Sequence, residues 1–105
     1  MKPSAVPAEQ IVMVYHANEI KADSIMKGRT IVAKGKVDRV GRDILGSAYV
    51  TLGENQLTIS RLQCMFATAD ETVVAELKPR QIIYVMGHMR GKMMNVIMDN
   101  CKVIP

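Results

Sequence analysis

Residues 34–53 read KGKVDRVGRDILGSAYVTLG, with four basic residues and four glycines set around two short alternating runs. Extended upstream to GRTIVAKGKVDRV, the first run places Ile31, Ala33, Gly35 and Val37 on one side and Lys34, Lys36 and Asp38 on the other, the period-two signature of a half-buried strand. At Val40 the apolar parity slips. A glycine inside a strand together with a parity change predicts a bulge or sharp bend, which one long strand needs if it serves two sides of a barrel. GRDILG then supplies the turn, and SAYVTLG returns with Ala48, Val50 and Leu52 inward and Tyr49 and Thr51 outward.

Before this hairpin, PAEQIVMVYHANEIKADSIM carries Ile11, Val14, Tyr15 and Ile20 on roughly one helical face, with Pro7 suited to a first turn. A helix over about residues 8–17 is expected, with a second short turn over Asn18–Met26. After the hairpin, ENQ turns the chain into a third strand, QLTISRLQCMF. Its apolar parity changes from Leu57 and Ile59 to Leu62, Cys64 and Phe66, so a bulge is expected near Ser60 and Arg61. TADETVVAELKPRQ changes period. Thr68 or Asp70 is placed to cap a helix whose inner face is Val73, Val74 and Leu77, and Pro79 is expected to stop it. Two further strands, IIYVMGHMR and MMNVIMDNCKVI, are joined by a tight turn around Gly91 and Lys92.

Strand, strand, strand, helix, strand, strand in about 80 residues, with a long bent first strand, is the plan of the five-stranded Greek-key OB barrel. The expected fold class is therefore all-β with accessory helices. Residues 1–7 read as a linker-like segment and residues 8–105 as a single domain that includes the N-terminal helix. The chain's 105 residues, 49% hydrophobic, suit one core. No apolar run reaches the roughly 20 residues of a membrane span, and MKPSAVPAEQ lacks a signal peptide's apolar centre.

The succession ANEIKADSIMKGRTIVAKGKVDRVGRDILGSAYVTLG, LQCMF, VAELKPRQIIYVMG and MNVIMDNCKVI, from about residue 10 to 104, resembles the tRNA-anti-like OB-fold family, small bacterial proteins described as nucleic-acid-binding lipoproteins. The resemblance rests on the N-E-x-x-A-D and K-G segment (Asn18, Glu19, Ala22, Asp23, Lys27, Gly28), on Gly35 to Asp38, and on Cys64 and Cys101. It implies the same barrel, a nucleic-acid ligand, and a periplasmic or lipoprotein-anchored location for the native precursor, the alternative being cytoplasmic. A lipid anchor would then belong to the precursor. Where such proteins commonly carry Lys-Gly-Asp before the fourth strand, this chain has Pro79, Arg80 and Gln81, so the turn loses a glycine and gains a charge.

Cys64 and Cys101 stand 37 apart with no CxxC or Cys/His cluster for zinc. In an OB topology the third and fifth strands are neighbours, so the sulfurs can meet. Two readings stand: a disulfide, which export of the look-alike family favours, and two reduced core thiols, since free cysteine is among the most buried residue types. His16 and His88 are isolated, and no metal site is expected. No G-x-S-x-G, P-loop or G-x-G-x-x-G occurs, and no catalytic carboxylate pair stands out, so neither catalysis nor a cofactor is expected.

What remains is charge. The net formal charge is +4, and six of the fourteen basic residues, Lys27, Arg29, Lys34, Lys36, Arg39 and Arg42, fall within residues 27–42. In an OB barrel the second and third strands and the first and fourth hairpin loops line the usual ligand face. Lys34, Lys36, Arg39, Arg42, Tyr49, Arg61, Arg90 and Lys92 are accordingly the expected nucleic-acid-binding residues, contacting phosphates and stacking a base. Lysines on a half-exposed strand are ordinarily just a solvated face, Asp38 and Asp43 interrupt the patch, and aromatic residues make up only 4% of the chain. The alternative partner is a protein of the cell envelope, bound by the same barrel.

Overall fold

Strand pairing in the computed structural model, which describes residues 4–54 and 60–105, follows from the bend in the long first strand of the hairpin. The chain runs β1 (Val6–Pro7), α1 (Ala8–Ala17), α2 (Glu19–Met26), β2 (Thr30–Arg42), β3 (Ala48–Leu52), β4 (Leu62–Met65), a 3-10 turn (Thr68–Asp70) leading into α3 (Glu71–Ala75), β5 (Ile82–Met93) and β6 (Asn95–Ile104). The first half of β2 pairs antiparallel with β5, Thr30 opposite His88 through Lys36 opposite Ile82. Its second half pairs with β3, and the register shifts between Val37 and Arg39, so Asp38 is the extra residue of a bulge. The parity slip seen at Val40 is this bulge. With β4 parallel to β6 and β6 antiparallel to β5, the sheet order β1-β2-β3-β4-β6-β5 closes through β2–β5. The protein is an OB barrel with one extra two-residue strand and accessory helices.

Helix α1 covers one mouth of the barrel, burying Ala8, Ile11, Val12 and Tyr15. Gly35 makes the approach possible: a Cβ there would lie 3.0 Å from the Cβ of Ala8 and 3.2 Å from that of Leu52. The segment Asn18–Met26 is a complete helix rather than a short turn. The Asn18 side chain caps it by accepting the Lys21 amide at 3.0 Å, Ala22 is fully buried, and Asp23 accepts the Tyr15 hydroxyl at 2.9 Å. Burial and that hydrogen bond push the Tyr15 phenol well above its ordinary range.

Four details differ from the sequence reading. The helix after β4 is a single turn of 3-10 and a short α-helix capped by neither Thr68 nor Asp70; the Asp70 carboxylate is held by Lys102 Nζ at 2.8 Å. It ends at Ala75 in i−3 bonds, four residues before Pro79, and Val73 is 49% exposed while Val74 is buried. Gly91 and Lys92 lie within β5 rather than in the hairpin turn, because the glycine serves a register shift after Met89 that leaves Arg90 as the extra residue. The turn is at Met94, with φ +66°. Thr51 is on the outward parity but buried, its hydroxyl donating to Asp38 Oδ2 at 3.1 Å. The expected ENQ turn and the first half of the third strand, with Leu57 and Ile59, fall largely outside the described residues.

Arg80 takes φ +74°, a left-handed conformation that suits glycine. The side chain there opposes a backbone preference of roughly 1–2 kcal/mol, part of which glycine returns as chain entropy. Arg80→Gly is expected to raise stability by about 0.5–1 kcal/mol in urea denaturation; a loss of stability would mean the arginine side chain holds the turn.

Candidate ligand-binding face

Past the bulge, Arg39 and Gly41 point outward on β2, paired with Thr51 and Tyr49 of β3, which pair in turn with Gln63 and Met65 of β4. Tyr49 lies down on the sheet because Gly41 has no side chain: a Cβ on Gly41 would be 3.0 Å from the tyrosine hydroxyl and 3.1 Å from Cζ. The ring is half-buried on this surface. Beside it, Asp38 lies 3.8 Å from Arg61 Nε, and Arg61 Nη1 donates to the Ser60 carbonyl at 3.1 Å. Asn95 joins the row, its Nδ2 donating to Gln63 Oε1 at 3.0 Å and its Oδ1 accepting the Arg61 amide at 2.9 Å. The floor is thus a polar sheet surface carrying one flat ring.

Two loops stand at the ends of this floor. Loop 43–47 joins β2 to β3 and is folded around Asp43, whose Oδ1 accepts the Leu45 and Ser47 amides at 3.0 and 2.8 Å. Arg42 braces it by donating to the Gly46 carbonyl at 2.9 Å. Leu45 shares an open hollow of about 360 Å³ with Met65, Phe66, Arg90 and Asp99. At the other end the β5–β6 turn is pinned by Ser60, whose hydroxyl donates to the Met94 carbonyl at 2.9 Å.

The structure divides the eight expected residues. Arg39, Tyr49 and Arg61 meet on the floor, and Lys36 joins Arg61 around a 280 Å³ hollow with Asp38, Glu54 and Arg80. Arg90 sits at the loop end. Lys34 belongs to another side of the barrel, its Nζ 5.6 Å from the Tyr84 ring centroid. Lys92 faces a hollow of 350 Å³ with Glu19, Asp23 and Lys27, from the same helix as the N-E-x-x-A-D motif. Arg42 is turned to α3, where Glu71 takes both its terminal nitrogens at 3.1 and 2.6 Å. That pair holds the Glu71 carboxyl below its ordinary range.

Carboxylates also meet Lys36 (Glu54, 3.1 Å) and Arg90 (Asp99, 3.4 Å). These are exposed pairs of small net worth, so an incoming anion can exchange for the carboxylate. Among the described residues Arg39 makes no ion pair. Sequence reading missed Gln63, Met65 and Asn95, although outward parity on the third strand marks the first two, and it missed Arg80, whose charge it noted without a position.

Cys64 of β4 and Cys101 of β6 are free, wholly buried thiols. Their mutual hydrogen bond and their burial push the Cys64 thiol well above its ordinary value. Among the described residues no group of three or more His, Cys, Asp or Glu is arranged to hold a metal, and no helix is long and apolar enough to cross a membrane.

An OB barrel with a loop-flanked face of this kind is a binding module. The chain belongs to the tRNA_anti-like family, whose model matches residues 2–103. Among solved structures it is similar to a "putative nucleic acid-binding lipoprotein" from Klebsiella pneumoniae, at 21% identity and TM-score 0.77, over 99% of this chain and 100% of that one. It is also similar to OBody AM1L10 bound to hen egg-white lysozyme, at 12% identity and TM-score 0.64, over 99% and 97% of the two chains. OBody AM3L15, also bound to lysozyme, matches at 13% identity and TM-score 0.64, over 100% of this chain and 98% of that one. No curated protein matches the sequence.

Proposed function

We propose that this OB module works without catalysis and binds single-stranded nucleic acid on the β2–β3–β4 face, Arg39, Arg61 and Lys36 meeting phosphates and Tyr49 stacking a base. The observation that carries the reading is Arg39, an exposed cation with no ion pair among the described residues, one strand from an aromatic ring laid flat by Gly41. The name given to the Klebsiella neighbour agrees with it. Arg90 extends the phosphate track at the loop end, whereas Lys34, Arg42 and Lys92 contribute only to the general positive field. Fluorescence anisotropy of labelled single-stranded DNA and RNA, titrated at low and near-physiological salt, tests the reading. Binding that weakens steeply with salt supports it, and no binding even at low salt removes it.

A protein-docking role in the cell envelope, periplasmic or lipid-anchored, is the second reading. It is favoured by the carboxylates already meeting Lys36, Arg42, Arg61 and Arg90, and by two neighbours of this fold that hold a protein.

For Cys64 and Cys101 we propose a disulfide in protein matured in an oxidising compartment. The two adjacent thiols would give up two protons and two electrons to a disulfide oxidant there. Protein exported to such a compartment, unfolded without reductant, is expected to show no free thiol in a colorimetric assay; two thiols per chain would refute the bridge.

A further inference from the structure

Four apolar side chains near the ends of the binding face stand mostly in solvent. Ile44 is fully exposed at 100%, Leu45 at 88%, Met93 at 69% and Met94 at 90%. They come as adjacent pairs, Ile44–Leu45 in loop 43–47 and Met93–Met94 at the β5–β6 junction, where Met93 is the last residue of β5, beside the hollow of Glu19, Asp23, Lys27 and Lys92, and Met94 is the turn. Single exposed apolar residues are ordinary; two pairs bracketing one face are not. Loop 43–47 adjoins the Met65 end of β4, and the β5–β6 turn adjoins the Leu62 end through the Ser60–Met94 and Arg61–Asn95 hydrogen bonds. The strand between these two ends, Leu62–Met65, spans three residue rises, about 10 Å.

Both pairs are held up rather than left to fold onto the barrel. The loop has the two amide bonds to Asp43 Oδ1, a main-chain closure between the Asp43 amide and the Ser47 carbonyl at 2.9 Å, and the Arg42 brace. Met94 keeps its exposed side chain at a positive φ of 66°, where glycine or asparagine would be easier. An unfavourable backbone that displays an apolar side chain in water points to contact with something outside the chain.

We infer that Ile44–Leu45 and Met93–Met94 are wedges that enter the base stack of a bound strand at the two ends of the floor, so that the site selects weakly stacked, pyrimidine-rich single strands. The inference rests on the nucleic-acid reading of the face. Charge complementarity names the occupant: between the wedges lies Arg39, and the chain as a whole is +4. Aliphatic and thioether side chains fill the gap between bases but lack an aromatic face to continue the stack, so inserting them interrupts it. Interruption costs least in a strand whose bases stack weakly, and stacking strength is the usual source of pyrimidine preference among single-strand binders. Tyr49, at the Met65 end of the floor, stacks a base of any kind and adds affinity without choice.

The test compares labelled oligo-dT and oligo-dA of about fifteen nucleotides, a length within OB-fold site sizes, against the wild type, Ile44→Ser/Leu45→Ser and Met94→Gly. These side chains lie in solvent, and thermal unfolding checks that each variant keeps its fold. The wild type is expected to bind oligo-dT about tenfold tighter than oligo-dA, one base stack's worth. Each variant should bring the ratio toward one, with an unchanged salt slope because no cation is removed. A wild type without preference for oligo-dT, or variants that keep the wild-type ratio, would overturn the wedges while leaving the nucleic-acid face standing. A wild type that binds neither strand would remove both, and would turn the four side chains to a protein partner.

Discussion

Gly87→Ala is expected to destabilise the barrel by about 2–4 kcal/mol, lowering the melting temperature by roughly 10–25 °C. Gly87 lies in β5 between Met86, opposite Lys102, and His88, opposite Asp99, where β6 sets two residues, Asn100 and Cys101, against the one glycine. The bulge turns Cys101 Sγ onto the glycine: a Cβ on residue 87 would be 2.6 Å from that sulfur, 3.0 Å from Met98 Cε and 3.1 Å from the Asp99 carbonyl oxygen. The methionine end can swing aside. The carbonyl is backbone, and the sulfur is wholly buried and donates to the Met98 carbonyl at 3.4 Å, so neither has room to retreat. Urea denaturation of Gly87→Ala, Cys101→Ala and the double variant isolates the cause. If the clash with sulfur dominates, the double variant loses clearly less than the sum of the two singles. Strict additivity would show that the damage lies in the backbone of the bulge.

Arg39→Glu is expected to weaken binding of a single-stranded oligonucleotide at low salt by at least about tenfold, since one phosphate contact is lost and a repulsion gained. The slope of log affinity against log salt should shrink by about 0.7 or more, the share of one phosphate on a single strand. Tyr49→Ala should cost about 1–3 kcal/mol of binding with the slope unchanged, because a stacked ring releases no counterion. The contrast separates the two roles on one floor. Anisotropy titrations at several salt concentrations measure both quantities, and an Arg39→Glu protein that binds like the wild type at every salt would take the arginine out of the site.

The barrel was readable because its strongest constraint is local. Ala33, Gly35 and Val37 on one parity followed by Val40 on the other leaves the chain little choice but to bend near Asp38, and that bend is what allows β2 to reach both β3 and β5. Asn18 and Asp23 were noticed as a motif, but their work was not legible: the cap on α2 and the bond to Tyr15 depend on the angle between two helices, which no periodicity encodes. Gly91 misled for a related reason, since glycine marks positive φ equally in a turn and in a bulge. Asp70 misled because a distant lysine, Lys102, took the carboxylate that a cap would have used.

The candidate site was legible as a list and not as a place. Alternation marked Lys34, Lys36 and Tyr49 as outward, and the usual ligand face of an OB barrel added Arg39 and Arg61. Neither could reveal that Lys34 meets Tyr84 across β2–β5, or that Arg42 leaves the face for Glu71, because both are pairings between segments far apart in sequence.

Consider finally the acidic side chains standing beside Lys36, Arg61 and Arg90. Each is tethered to the same barrel as its cation, so it competes for that cation at a high effective concentration which no lone anion in solution matches. A single phosphate arriving at one such pair gains little. A polymer that brings several phosphates in one encounter makes each exchange after the first intramolecular in its turn. For a surface of this design, length of ligand, rather than charge at any one point, sets the threshold for occupancy.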